Sequence, residues 1–337
     1  MITWKVLKTR VPIERWECTA ARAAALALPR ALENLCEALK LDTKKNPDGK
    51  RLIRKYCQPR KPTFTNTSLW NDDEEGLEAL AQYCADDVRA ETEVYLTLPP
   101  LPPLEKKVWV LDQRINSRGV YCDRPLVKTV LKMVREELAE LQRETIELTD
   151  GRVENTTKRA ECLVWLEEQG LVLPNFQAKT VADAIETGLA TGPARKLLEI
   201  RQAVSKTSTA KYLAFEKRTR TDSRLRDLLL YHGASTGRWS GVGVQPQNFP
   251  RPKIENVPDA IRAVRQGDLE WVRAMHGPPM EVFASCLRGV LRATPGRRLY
   301  CADYSAIEAR VLFWIAKHDA GLRAFEQDRD LYRELAT

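Results

Sequence analysis

Apolar residues recur at helical spacing along most of the chain. Val127, Val130, Leu131, Val134, Leu138, Leu141 and Leu148 fall on one stripe, the pattern of a long helix that buries one face. Asp123 stands just before this run, after a tight turn at Gly119, and reads as its N-cap. Trp16 to Leu41 is rich in alanine and leucine and predicts helices broken at Pro29, and Leu77 to Leu96 returns to the helical pattern. Further helices are predicted over Thr157 to Gln169, Pro193 to Lys217, Asp259 to His276 and Pro279 to Leu291. Asn46 to Gly49 is a turn, and Gln58 to Ser68 is a loop bearing proline and threonine. Leu228 to Pro252 predicts a strand, a glycine-rich turn, a second strand and an extended exit.

The stretch RRLYCADYSAIEARVLFWIA (Arg297 to Ala316) changes pattern midway. Leu299 to Ala302 reads as a short buried strand, and Ile307, Val311, Leu312 and Ile315 recur at helical spacing. Asp303 sits between them. An acid where a strand turns into a helix can hold a divalent metal, and it can equally be a helix N-cap. The local pattern leaves both readings open.

Length and composition narrow the class. The 337 residues allow two or three domains, and 43% hydrophobic with 30% charged residues is ordinary for a globular protein. No apolar run is long enough to span a bilayer, and Met1 opens no signal-peptide pattern, so a cytoplasmic protein is expected. Eight cysteines without a C-x-x-C pair and only three histidines argue against a zinc site or a secreted disulfide framework. The proline-rich LPPLPPLEKK (Leu98 to Lys107) is the clearest linker, and a domain boundary is placed there. Of the net charge of +8, +7 falls between Arg195 and Arg226, where ten basic residues stand against three acids. Such clustering points to a polyanion partner.

Two segments then fit together. HGASTGRWSGVGVQPQNFPRP (His232 to Pro252) resembles the T-G-R-L-S-S…N-L-Q-N-I-P segment of the family A DNA polymerases, the bacterial polymerase I type, with the bacteriophage branch nearest. LYCADYSAIEARVLFWIA resembles that family's motif A, D-Y-S-Q-I-E-L-R, and CLRGVLRATPG before it resembles the approach strand. The N-terminal third, with LPRALENLCEALKL, GKRLIRKYCQP and YCADDV, resembles the end of the family's 3′–5′ exonuclease domain.

The resemblance implies roles. Asp303 matches the carboxylate that bridges two Mg²⁺ ions, with the Tyr304 carbonyl as a further ligand. Glu308 matches the steric gate that excludes a 2′-hydroxyl, which argues for deoxynucleotides; the bland alternative is a solvent-facing helix charge. Arg238, Gln245, Gln247 and Asn248 match the strand that contacts the primer–template minor groove, whose acceptors are nearly alike for every base pair. Gln245 and Pro246 replace the family's usual asparagine and leucine. Lys206 and Lys211, in SKTSTAK, resemble thumb lysines that grip phosphates, and Arg288 fits the arginine before motif A. Tyr83 and Asp87 fit the Y-x-x-x-D of the third exonuclease motif, Tyr against the attacking water and Asp against a metal.

On this resemblance the chain is α+β and predominantly helical. Residues 1–100 are expected to be the C-terminal part of a ribonuclease H-like exonuclease domain, 101–226 the thumb and its base, and 227–337 the first part of the palm with a small antiparallel sheet. The expected partners are primer–template DNA and dNTPs. The first two exonuclease motifs are expected before Trp16, and the fingers helix and H-D-E motif after Thr337; KHDAG at Lys317 is not that motif. The expectation is therefore a fragment, or a split polymerase completed by a separate chain and inactive alone, in a viral host's cytoplasm. Two rivals stand beside it: a non-catalytic DNA-binding remnant, and a nuclease completed by a partner chain.

Overall fold

The computed structural model describes residues 8–41, 48–64, 66–205, 207–330 and 333. The chain opens with α1 (Thr19–Ala25) and α2 (Leu32–Ala38), broken at Pro29 as the sequence predicts. Asn46 and Pro47 of the predicted turn lie outside the described residues, and α3 (Gly49–Tyr56) follows. The loop over 58–68 leads to α4 (Glu74–Thr97), whose start is capped by Asp73 accepting from the Gly76 N–H at 3.2 Å. Packing among these helices makes two small cores, one around Leu35 and Val94, the other of Leu52, Tyr56 and Tyr83.

The predicted linker is shorter than its prolines suggest. Pro103 begins α5 (Pro103–Arg118), so residues 103–107 are helix rather than linker. A proline at the first helical position sacrifices no hydrogen bond, because that N–H has no partner in a helix anyway. Trp109 and Val110 of α5 bury against Ala21 and Tyr231.

Gly119 ends α5 at φ 67°, and a Cβ there would lie 2.3 Å from the Leu225 carbonyl. Only glycine fits. β1 (Val120–Cys122) follows as the middle of a three-stranded antiparallel sheet, pairing with β2 (Arg224–Leu225) and β5 (Leu291–Arg292). Its register sets Val120 against Leu225 and Cys122 against Leu291.

Asp123 caps α6 (Arg124–Leu148), accepting from the Leu126 N–H at 3.1 Å. Val127, Val130, Leu131 and Val134 of the predicted stripe are buried in the largest core. They share it with Tyr212 and Phe215 of α10 (Thr207–Arg218) and Phe283 of α13 (Pro279–Cys286). Tyr212 donates its hydroxyl to the Phe283 carbonyl at 2.7 Å. Leu148, at the far end of α6, packs on a second core of Trp165, Leu166, Phe176 and Leu197. That core is built by α7 (Arg159–Glu168), α8 (Ala178–Glu186) and α9 (Gly192–Val204).

Three predicted helices are interrupted. The run over 193–217 is divided between α9 and α10, with Ser205 in a turn. The run over 259–276 becomes α11 (Val257–Gln266) and α12 (Leu269–His276). Gly267 at φ 79° stops the first, and Asp268, accepting from the Trp271 N–H at 2.9 Å, starts the second. The run over 279–291 is α-helical only to Cys286, tightens to a 3₁₀ turn over Leu287–Val290 and enters β5. The predicted strand–turn–strand is present as the antiparallel pair β3 (Leu229–Leu230) and β4 (Ser240–Gly241).

All of this belongs to one compact unit, residues 1–292; residues 293–337 form a second. In the second unit, α14 (Ile307–Ile315) appears as predicted and packs on α15 (Asp319–Glu326), with the Phe313 and Phe325 rings 6.0 Å apart. The strand predicted over 299–302 does not form, and Tyr300 is 90% exposed. A strand needs a neighbour for its N–H and C=O groups. Among the described residues none pairs with this one. No helix among the described residues is long and apolar enough to cross a membrane.

Asp123 provides the sharpest test of this packing. It is 4% exposed and is also reached by Arg265 and by Arg292, the latter at 2.9 Å. Asp123→Asn keeps a capping oxygen and loses the charge, whereas Asp123→Ala loses both. Chemical denaturation should find both variants less stable, with Asp123→Ala worse by about 1 kcal/mol, the usual cost of a lost cap. Equal losses would mean that the cap contributes nothing.

Candidate functional site

The residues matched to minor-groove contacts lie on one continuous segment, from the β3–β4 hairpin to the turn after it. Arg238 is exposed in the hairpin loop, where the Ala234 N–H bonds the Arg238 carbonyl at 3.1 Å. Gln245 has a left-handed backbone (φ 52°) and precedes a 3₁₀ turn over Pro246–Asn248. Its side-chain oxygen accepts from Asn248 Nδ2 at 2.8 Å, while Gln247 remains exposed. The turn thus presents amide groups at the surface just after β4.

Two of the matched cations hold this segment from behind. Lys211 of α10 donates to the Val244 carbonyl at 3.0 Å and lies over the Phe249 ring. Arg288 donates to the Phe249 carbonyl at 3.0 Å and to the Pro250 carbonyl at 3.2 Å. Both brace the exit of the segment through main-chain acceptors. Lys206 lies outside the described residues.

A third support was invisible in the sequence. Asn116, near the end of α5, donates to the Leu229 carbonyl at 2.9 Å and accepts from the Leu228 and Leu229 N–H groups, each at 3.0 Å. Arg30 donates to the Tyr231 carbonyl at 2.8 Å. These partners are more than a hundred residues away in sequence, and no spacing rule connects them.

Asp303 lies in the other unit, exposed, on irregular backbone before α14. It is not the helix cap: that position belongs to Ala306, which makes no side-chain capping bond. Tyr304 beside it is exposed, and Glu308 falls in the first turn of α14. Leu299, Tyr300, Ile307, Leu312, Trp314 and Ile315 are also exposed, and α14 buries none of its residues.

Tyr83 and Asp87 are brought together one turn apart on α4. The Tyr83 ring is buried with Leu52 and Tyr56. The neighbouring Asp87 carboxylate, and then burial, push the phenol up to about 12.

Comparison with known proteins yields a single class. No protein-family profile matches the chain. It is, however, similar along almost its whole length to a phage DNA polymerase. The polymerase is that of Bacillus phage SP02, 36% identical over 329 residues, which make up 96% of this chain and 50% of the phage protein. The chain therefore spans about half the length of the relative it matches.

Beneath the hairpin one group is electrostatically uncomfortable. Asp112 of α5 is 1% exposed; one carboxylate oxygen accepts from Gln113 at 2.8 Å and the other has no hydrogen-bond partner. Burial raises its pKa above the ordinary 3.8, against the opposing pull of Gln113, Asn116 and the Arg30 charge. A raised carboxyl means that the folded state keeps the proton longer than the unfolded state. The resulting stability is fully present below the unfolded value and is lost as pH rises through the folded one. Asp112→Asn should remove this loss. Comparing denaturation midpoints of wild type and variant from pH 3 to 7 should show a difference that grows in the variant's favour with pH; a flat difference would contradict it.

Proposed function

We propose that this chain is the exonuclease-end, thumb and first palm portion of a phage-type family A DNA polymerase. The complete protein would add deoxynucleotides to a primer 3′-hydroxyl under the direction of a DNA template. The observation that carries this reading is the 36% identity to a phage DNA polymerase across 96% of the chain. The T-G-R and D-Y-S-x-I-E segments support it, standing in the order that family has. On this reading residues 1–100 are the last part of a ribonuclease H-like exonuclease domain, 101–226 the thumb and its base, and 227–337 the first part of the palm.

The residues divide the work by chemistry. Asp303, with the Tyr304 carbonyl, would hold Mg²⁺; an exposed carboxylate is the hard oxygen donor that ion prefers. When bound, two such ions activate the primer hydroxyl and offset the triphosphate charge. Asp303 supplies only one carboxylate, and the described residues hold no cluster of three metal-binding side chains, so further donors must complete the site. Glu308 packs against the sugar of the incoming dNTP and selects against a 2′-hydroxyl. Arg238, Gln245, Gln247 and Asn248 contact minor-groove acceptors of the primer–template, a readout indifferent to sequence. Lys206 meets backbone phosphates, and Lys211 and Arg288 keep the groove segment in place for them. Tyr83 and Asp87 are the part of an exonuclease site that this chain carries, Asp87 facing its metal.

The exposed apolar side chains from Leu299 to Ile315 support a further polypeptide segment that covers them and brings the fingers and second palm motif, whether in the same chain or a separate one. The setting is a host cell's cytoplasm.

A reconstitution tests the whole reading. This chain alone should bind primer–template without extending it. Supplied with a polypeptide bearing the missing motifs and Mg²⁺, it should extend primers, and Asp303→Asn should abolish extension while leaving DNA binding and thermal melting unchanged. A reconstituted Asp303→Asn protein that extends primers at the wild-type rate would sink the assignment, as would extension by this chain alone.

A further inference from the structure

The positive charge between Arg195 and Arg226 separates into committed and uncommitted side chains. Arg195 pairs with Glu199 and Lys196 with Glu144. Arg224 donates to the Gly119 carbonyl at 3.1 Å, at the end of α5. Arg226 donates to the Ser117 carbonyl at 2.7 Å and grips Asp222 with both terminal nitrogens. Lys217, Arg218 and Arg220 make no ion pair among the described residues.

These three surround an open cleft of about 510 Å³, with Arg226 and Asp227 on its wall. Arg218 crosses Gly243: a Cβ there would sit 2.5 Å from its guanidinium carbon, and Gly243 has φ 70°. The guanidinium is thereby set beside the segment that carries Gln245 and Asn248. Cations in the last turn of a helix answer the negative end of its dipole, which accounts for Lys217 and Arg218 but not for Arg220, beyond the helix. Lys217, Arg218 and Arg220 outnumber the one carboxylate that lines the cleft, Asp227, so the cleft is net positive and favours an anion. Among the described residues no aromatic side chain lines the cleft, so no platform for stacking a base is seen there.

We infer that this cleft binds phosphates of a nucleic-acid backbone, at a point distinct from the Lys206–Lys211 stretch. Lys217 lies six residues beyond Lys211 on α10, about 9 Å along the axis, and Lys211 is committed to the Val244 carbonyl and the Phe249 ring. Arginine forks and a lysine suit phosphate oxygens, and contacts of this kind position a duplex without reading its sequence. The identity of the polyanion as DNA rests on the polymerase reading; the phosphate chemistry does not.

The experiment measures binding of the full chain to labelled primer–template by fluorescence anisotropy between 50 and 200 mM salt. Its variant is the triple Lys217→Ser, Arg218→Ser, Arg220→Ser. A control triple, Arg152→Ser, Lys158→Ser, Lys196→Ser, removes the same charge from paired positions outside the cleft. Each phosphate contact contributes about 0.9 to the slope of log affinity against log salt. The cleft variant should therefore lose about 2 to 3 from that slope, on unrelated DNA sequences alike, while the control keeps the wild-type slope. Arg220→Ser alone, outside the helix, should lose about 0.9, so the test survives misfolding of the triple variant. An unchanged slope in the cleft variants, or an equal loss in the control, would overturn the cleft alone. Equal salt slopes for the wild type and the cleft triple, with pyrophosphate raising the melting temperature of the wild type alone, would assign the cleft to free phosphates instead. Absence of DNA binding by the wild-type chain would overturn the cleft and the polymerase reading together.

Discussion

The larger unit is organised around one buried carboxylate. Asp123 must have partners, because a carboxylate removed from water is costly unless it is hydrogen-bonded and paired. It finds them on three elements: the first turn of α6, Arg265 at the end of α11 and Arg292 on β5. Its own N–H bonds the Val290 carbonyl at 2.9 Å. The sheet, the long helix and α11 are thus registered at one residue. α6 then provides the apolar face against which α10 and α13 pack, and through α10 it places Lys211 behind the groove segment.

A similar arrangement holds the hairpin. Two strands of two residues each are too short to be stable alone. Asn116 substitutes for a missing neighbour strand by bonding the Leu228 and Leu229 backbone from the side, and Arg30 anchors Tyr231. The closeness of Asp112 to these groups is the electrostatic cost of burying so many polar atoms at the end of α5. Residues 293–337 contrast with this. Among the described residues there, Leu299, Tyr300, Ile307, Leu312, Trp314 and Ile315 are exposed, and a helix that is apolar nearly all round is normally enclosed.

The motifs from which the candidate site is proposed are local. The T-G-R, D-Y-S-x-I-E and Y-x-x-x-D segments are short runs, and a run survives in the sequence whatever packs around it. The contacts of Lys211 and Arg288 with main-chain carbonyls were not legible, because a cation bound to a distant carbonyl looks the same in sequence as one facing solvent. Asn116 carried no signal at all. Nor could the net charge distinguish Arg224 and Arg226, used to hold the chain, from Arg218 and Arg220, left facing a cleft.

By itself, the sequence determined the helical character of the chain, the α6 stripe with its Asp123 cap, the breaks at Pro29 and Gly119, and the helix after Asp303. These follow from periodicity, caps and backbone permissiveness, which act within one or two turns. Only the tertiary structure decided that Pro103 starts a helix, that the runs over 193–217 and 259–276 each divide, and that residues 299–302 remain irregular. A strand exists only with a neighbour, and a helix end is settled by whether its last groups find partners. Both conditions concern residues far away in the chain, and only the folded molecule brings them within reach.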